Sequence, residues 1–167
     1  MQGLSALEMF QRIVIAATEA CREHYGPRLV SLAVFGSVAR GVPRPDSDID
    51  LLVVARDLPN GRIPRIREFD GVEERLDPLL REAAEVGVHT TLAAVIKSPE
   101  EVEHGSPLFL DMTENVRILF DERDFLHGYL GRLKAKLAAL GARRVRKGGG
   151  YYWLLKPDYR PGDVIEL

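Results

Sequence analysis

Asp48 and Asp50 stand one residue apart at the start of an apolar stretch that continues as Leu51-Leu52-Val53-Val54. If this stretch is a strand, the two carboxylates lie on the same face, roughly 6.6 Å apart along the backbone. Like charges held that close repel each other, and burial beside apolar residues adds to the cost. A divalent cation removes the repulsion, and Mg²⁺ prefers a few carboxylates together with water and substrate phosphates. The pair therefore predicts a metal site; a solvated turn capped by two aspartates is the alternative from these residues alone.

Gly36 and Ser37 form a second candidate group, at the end of another apolar run, residues 29–35. Glycine lets the main chain approach a ligand closely, and a short helix after it turns free amide hydrogens toward an anion. Phosphates bound here and a metal at the aspartates would lie on adjacent strand ends. That arrangement supplies the positioning and charge neutralisation that transfer at phosphorus needs. A plain loop is the alternative interpretation of Gly-Ser.

Arg40 is the cation nearest to the predicted phosphates, and we expect it to neutralise them. The alternative is a surface ion pair with Asp46 or another carboxylate, which would contribute little. Arg44 is a weaker candidate in the same loop, and Ser47 is expected to support the turn through its hydroxyl group.

The two groups together resemble the signature of the nucleotidyltransferase superfamily of DNA polymerase beta type, and the short chain resembles its minimal nucleotidyltransferase branch. The resemblance implies that Asp48 and Asp50 are catalytic residues that ligate one or two Mg²⁺ ions, while Gly36 and Ser37 hold the triphosphate of a nucleotide. It implies an enzyme that transfers a nucleoside monophosphate from an NTP, with ATP the expected donor, to an unidentified hydroxyl group on a protein or RNA. The motif reads Gly36-Ser37, ten residues that include Ala39-Arg40-Gly41, then Asp48-Ile49-Asp50-Leu51.

One feature departs from this pattern, because the family usually carries a third acidic residue on a neighbouring strand. The corresponding stretch, Val88 to Ile96, contains no carboxylate, and Glu85, His89 or Thr91 would have to replace it. A second hypothesis follows, in which the fold is retained with reduced chemistry and binds a nucleotide, a partner protein or RNA. Relatives in the minimal branch often pair with a small helical protein of the HEPN type as a toxin-antitoxin system, so the resemblance also implies such a partner.

The surrounding elements are predicted to be helices packed on a small mixed sheet, an α/β (α+β) fold of nucleotidyltransferase type. Apolar periodicity predicts helices over about residues 4–25, 62–85 and 125–140, with Gly71 and Pro78 expected to bend or split the second. Asp121 or Asp124 is expected to cap the last helix. Strands are predicted over residues 29–35, 48–55, 88–96 and 116–120, with short helix starts at residues 98–101 and 106–107.

Composition fits one globular domain, since 46% of the 167 residues are hydrophobic and 29% are charged. Residues 1–127 hold 14 Lys/Arg against 22 Asp/Glu, whereas residues 128–167 hold 9 against 3. We therefore divide the chain into a nucleotidyltransferase-like domain, residues 1–141, and a basic, aromatic arm, residues 142–167, joined by a mobile glycine-rich segment. The arm is expected to pack on the domain or a second subunit, as in a homodimer, or to bind RNA. No membrane span or leader is evident, which predicts a cytoplasmic protein.

Overall fold

A four-stranded mixed sheet forms the centre of the computed structural model, which describes residues 5–167. Its two central strands, β1 (Leu29–Phe35) and β2 (Ile49–Ala55), are antiparallel. At one edge β3 (Leu92–Lys97) runs parallel to β2, and at the other edge β4 (Arg117–Asp121) runs antiparallel to β1. Helices cover both faces of this sheet, so the predicted fold class is confirmed.

The first face is covered by two long helices, α1 (Ala6–Tyr25) and α3 (Arg62–Glu85), with the single-turn helix α2 (Gly36–Ala39) between them in the chain. Ser5 caps α1 through a reciprocal pair of hydrogen bonds with Glu8, so the helix begins at Ala6. The predicted start at Leu4 lies outside the described residues. The core on this side joins α1 and α3 to the sheet through Phe10, Ile13, Ala17, Phe69, Val72, Leu76, Leu32, Val34, Leu51 and Val53.

Helix α3 is continuous, so the prediction that Gly71 and Pro78 split it is wrong. A Cβ atom at Gly71 would lie 2.8 Å from Cε1 of His24 in α1. Glycine is therefore used here for the close approach of two helices, and it does not end the helix. Pro78 is accommodated inside the helix on its exposed side.

The second face is covered by three helices, α4 (Pro99–His104), α5 (Leu108–Met112) and α6 (Phe125–Leu140). Both predicted helix starts are confirmed, and Ser98 forms a capping box with Glu101 ahead of α4. The core on this side consists of Val30, Ala33, Leu52, Val54, Val102, Phe109, Met112, Leu126, Leu130, Leu133 and Leu137.

The third predicted strand begins later than expected, at Leu92 instead of Val88. The preceding residues are held by the loop before β2: the His89 amide donates to the Pro45 carbonyl at 2.8 Å, and the Thr90 hydroxyl donates to the Ser47 carbonyl at 2.7 Å. Residues 88–91 therefore lie across the loop before β2 and are not part of strand β3. Local sequence does not predict this arrangement, because it depends on a tertiary contact.

The final residues form a two-stranded hairpin, β5 (Arg143–Lys147) and β6 (Gly150–Leu154). The predicted mobile segment is instead a strand and a tight turn, with Gly148 and Gly149 both at positive φ. Trp153 and Leu155 pack against the core of the second face. Among residues 5–167, no helix combines the length and the apolar composition that crossing a bilayer demands.

Candidate active site

Asp48 and Asp50 lie at the start of β2, on the face that Leu52 and Val54 share. Ile49 and Leu51 pack into the opposite core, which confirms that the aspartates point to one side of the strand. Asp48 is exposed, whereas Asp50 is half-buried. The strand thus presents two carboxylates, one free to water and one partly enclosed, at the end of a completely apolar segment.

Asp48 is positioned by a contact from the β3 side of the sheet. The Thr91 hydroxyl donates a hydrogen bond to Oδ1 of Asp48 at 2.8 Å. The Ile49 amide donates to the Thr91 carbonyl at 2.9 Å, so the backbone of the two segments is joined at the same point. These bonds hold the Asp48 side chain in one orientation, although Asp48 lies just before the first residue of β2.

Gly36 and Asp50 are in direct contact. Phe35, the last residue of β1, is the register partner of Asp50, and Gly36 then turns into α2 with a φ of +70°. A Cβ atom on residue 36 would lie 2.1 Å from Oδ2 of Asp50. No side chain fits there, so both the left-handed backbone and the space beside the carboxylate require glycine. The turn between β1 and α2 and the aspartate pair thus share one pocket.

Ser37 is half-buried in the first turn of α2, and Arg40 caps the end of that turn. Arg40 is exposed, and its positive charge acts to lower the pKa of Asp50. The alternative partner considered for it, Asp46, pairs with Arg44 at 3.4 Å. Arg40 is therefore the cation beside the aspartate pair, and Arg44 belongs to the outer loop.

The electrostatics of Asp50 fit a cation site. Burial raises the pKa of the Asp50 carboxyl group, the charge of Asp48 raises it further, and Arg40 only partly offsets these effects. The ionised pair is thus unfavourable in the protein alone, and a positive ion between the carboxylates would relieve it. Two carboxylates beside the turn at Gly36 and Ser37 are a donor set that suits Mg²⁺, which takes one or two carboxylates plus substrate phosphates.

No third carboxylate joins the pair. Over residues 5–167, His, Cys, Asp and Glu side chains form no group of three or more that could hold a metal ion. Ala93 is the register partner of Asp50 on β3, and Thr91 is the residue that reaches Asp48. His89 and Glu85 are exposed. Of the three candidates that the sequence leaves open, Thr91 is the one whose side chain hydrogen-bonds to Asp48.

A cleft of about 310 Å³ adjoins Asp50 and was missed by the sequence reasoning. One wall is β3, from Leu92 to Ile96, and the other is a stripe of α3. The three- and four-residue spacing of that stripe is a signal that could have identified it. Its members are Arg62, Ile66, Phe69 and Glu73.

The open edge of β3 borders this cleft. Because the Ile49 amide bonds to Thr91, the alternate residues Leu92, Ala94 and Ile96 direct their backbone groups away from β2. Arg65 donates to the Ile96 carbonyl at 3.3 Å. The backbone groups of Leu92 and Ala94 face the side of the sheet on which no further strand of residues 5–167 lies.

Comparison with known proteins agrees with this geometry. The model of the family described as "Nucleotidyltransferase domain" matches residues 15–123, which include both aspartates and Gly36. A protein of Methanocaldococcus jannaschii, whose name assigns it provisionally to the protein adenylyltransferases, is 30% identical over 129 residues, covering 76% of this chain and 82% of that protein. The protein adenylyltransferase MntA of Thermococcus cleftensis is 36% identical over 78 residues, covering 47% of this chain and 72% of that protein.

Two solved structures are also similar. One is a toxin-antitoxin crystallised with AMP-PNP, with a TM-score of 0.46, 18% identity, and coverage of 75% of this chain and 90% of that chain. The other, from Sulfolobus solfataricus, is provisionally assigned as a nucleotidyltransferase, with a TM-score of 0.44, 19% identity, and coverage of 73% and 92%. The family match over residues 15–123 and the relative that is 30% identical establish that the chain belongs to the nucleotidyltransferase domain family.

Proposed function

We propose that this chain transfers AMP from ATP to a hydroxyl group of a partner protein, with Asp48 and Asp50 as the catalytic pair. The observation that carries the proposal is the contact of Gly36 with Asp50, which brings an anion-binding turn and a carboxylate pair into one pocket. The names of the two relatives, both protein adenylyltransferases, support ATP as donor and protein as acceptor.

In this proposal, Asp48 and Asp50 hold Mg²⁺, which when bound offsets the charge of the triphosphate and polarises the reacting groups. The main chain at Gly36 and Ser37 lies against the phosphates, and Arg40 balances the charge of the departing pyrophosphate. The acceptor oxygen forms a bond to the α-phosphorus, the bond from that phosphorus to the bridging oxygen breaks, and the acceptor's proton passes to water. We place the reaction in the cytoplasm, where ATP and Mg²⁺ are supplied.

The acceptor hydroxyl is proposed to enter from the β3 side of the pair. Gly36 occupies the β1 side of Asp50, so the nucleotide phosphates fill that side, and an attacking group must approach from across the carboxylates. Ala93, opposite Asp50, leaves room above β3, and the cleft beside α3 opens onto the same point. The proposed partner is a HEPN-type protein, which the resemblance to the minimal nucleotidyltransferase branch implies; a second copy of the chain and RNA are the other candidates for acceptor.

The decisive experiment incubates the purified chain with MgCl₂, an extract of its own cells, and ATP labelled on the α-phosphorus. We expect a labelled species that protease destroys and ribonuclease leaves intact, and no labelling from ATP labelled on the γ-phosphorus. Asp48→Asn and Asp50→Asn should each reduce the label by roughly a hundredfold or more. Asp46→Asn is the matched control, because Asp46 lies in the same loop but pairs with Arg44, and it should keep the label.

A second candidate function is a binding module of the same fold without transfer, favoured because no third carboxylate among residues 5–167 joins Asp48 and Asp50 as a metal-binding group. It predicts that Mg²⁺ with ATP raises the melting temperature of the native chain but that no extract component becomes labelled. Label that ribonuclease removes would instead identify RNA as the acceptor.

A further inference from the structure

The C-terminal hairpin carries a concentration of positive charge and aromatic rings that the transfer reaction does not use. Four of the five residues of β5 are Arg or Lys, and β6 contributes Tyr151, Tyr152 and Trp153. Residues 142–157 contain no Asp or Glu. The hairpin also lies outside residues 15–123, the part of the chain that matches the family.

The hairpin is held against the body from one side. The Trp153 indole donates to Oδ1 of Asp111 at 2.9 Å, and Arg144 donates to Oε2 of Glu114 at 2.8 Å. Trp153 and Leu155 also pack on the core of the second face. These contacts orient the hairpin and neutralise one of its four cations.

Strand register separates the remaining groups into two sets. Opposite residues share a face, so Arg144 with Trp153 and Arg146 with Tyr151 lie on one side, the side that the Trp153 contacts turn toward the body. Val145 with Tyr152, Arg143 with Leu154, and Lys147 with Gly150 lie on the other. The outer face therefore places a tyrosine, 47% exposed, between two cations.

A hollow of about 620 Å³ adjoins the hairpin, and its lining consists of Glu114, Ala142, Arg143, Arg144, Arg146 and Tyr151. The Arg144 guanidinium carbon lies 3.5 Å from the centre of the Tyr151 ring, which fixes that ring while leaving it 46% exposed. With any partner among residues 5–167, Arg143, Arg146 and Lys147 form no ion pair within 4.0 Å. These three cations are available to an external anion.

We propose that the β5–β6 hairpin binds single-stranded nucleic acid. Tyr152 stacks on a base, Arg143 and Lys147 on the same face bind phosphates, and Arg146 binds a further phosphate at the hollow. Ordered aromatic faces between cations, on a hairpin that itself carries no acidic residue and whose one carboxylate neighbour in the hollow, Glu114, is paired with Arg144, match the combination that such ligands require. Residues 1–127 have a net charge of −8, so the field of the body directs a polyanion to the hairpin. The proposal does not depend on the transfer reaction.

The test measures fluorescence anisotropy of labelled strands of about 12 nucleotides, RNA and DNA of one sequence, with the full chain at several salt concentrations. With three phosphates engaged, log K should fall with log salt at a slope of about −2. Arg146→Ala/Lys147→Ala should weaken binding at least tenfold and make the slope shallower by about 1.4. Tyr152→Ala should weaken binding about fivefold or more, while Tyr152→Phe keeps it.

The charge-matched control is Arg67→Ala/Arg81→Ala, which removes two exposed cations from α3, on the opposite face of the sheet. It should leave affinity and slope unchanged. Tighter binding of RNA than DNA would assign the 2′-hydroxyl a role, and equal binding would assign the site to the shared backbone and bases. Absence of binding at about 50 mM salt, or equal weakening by the control pair, would overturn the proposal.

Discussion

Asp50 carries the strongest electrostatic signature of the site. It is half-buried, lies near a second carboxylate, and has its Oδ2 against the α-carbon of Gly36. The aspartate spacing and the Gly-Ser turn were predictable from sequence, because strand alternation and glycine geometry are local. The sequence offers Thr91 as one of three candidates to replace the third acidic residue. It does not single Thr91 out, because the contact with Asp48 depends on how the segment after α3 crosses the loop before β2.

Asp50→Asn should stabilise the protein in the absence of metal at neutral pH. The pKa of Asp50 is raised in the folded state, so the ionised carboxylate destabilises the fold above that pKa, and the penalty disappears as pH falls through it. Melting curves from about pH 4 to 8 should show the variant above the native chain at pH 7 and the two converging in acid. Asp46→Asn, at an exposed position, should follow the native curve. A variant less stable than the native chain at pH 7 without metal would refute this account of Asp50.

Gly36→Ala should damage both backbone and site. Its φ of +70° costs a side chain about 1–2 kcal/mol of unfolding free energy, and the new Cβ would displace the Asp50 carboxylate. Gly41→Ala is the matched control, because Gly41 has a φ of +73° but no atom within 4 Å of its Cβ position. Urea denaturation should give similar losses for both variants, whereas titration with Mg²⁺ and ATP should show weakened binding for Gly36→Ala alone. Equal nucleotide affinity in the two variants would show that Gly36 is not part of the nucleotide-binding site.

The elements that position the site were predictable where the spacing of apolar residues follows a single helix or strand period. β1 and β2 are apolar except at Ser31 and Asp50 because both faces are covered, and α6 follows its leucine stripe. The errors occurred where a tertiary contact overrides a local signal: Gly71 accommodates His24, and the residues before β3 bond to a loop. The cap of α6 is a third such case, since Asp121 and Asp124 were equal candidates by sequence.

Asp121→Asn should destabilise the fold through the start of α6. Oδ1 of Asp121 accepts the Leu126 amide at 2.9 Å and the buried Ser31 hydroxyl at 2.6 Å, and Oδ2 accepts the His127 amide at 2.9 Å. The single oxygen of the amide cannot accept all three, so either the His127 amide, or the Leu126 amide and the Ser31 hydroxyl, lose a bond to a charged acceptor, at a cost of about 1–3 kcal/mol. Asp124→Asn, at an exposed position without a side-chain cap, should change unfolding free energy by less than about 0.5 kcal/mol in the same urea titration. A larger loss of unfolding free energy in Asp124→Asn than in Asp121→Asn would show that Asp124 caps α6.

The molecule as a whole consists of a sheet with a helical layer on each face and a hairpin attached to the second layer. The boundary proposed at residue 141 separates the domain from a hairpin that nevertheless shares its core through Trp153 and Leu155. Those contacts predict that the hairpin and the domain unfold together. Because Trp153 is the single tryptophan, its fluorescence reports on the hairpin alone.

Unfolding followed by Trp153 fluorescence and by far-ultraviolet circular dichroism should give one coincident transition in urea. The indole bond to Asp111 and its packing on the second core tie the hairpin to α5 and α6. Asp111→Ala should shift the tryptophan emission toward that of exposed indole while the dichroism spectrum is preserved. A fluorescence transition at clearly lower urea would show that residues 142–167 form an independent arm.

The pocket shared by Gly36, Asp48 and Asp50 is tested most directly by the anomalous scattering of Mn²⁺ in crystals grown with a non-hydrolysable ATP analogue. We predict a Mn²⁺ peak between the two aspartate carboxylates, with the analogue's phosphates against the main chain of Gly36 and Ser37. An ordered nucleotide bound away from that turn, or bound there with no manganese at the aspartates, would contradict the account.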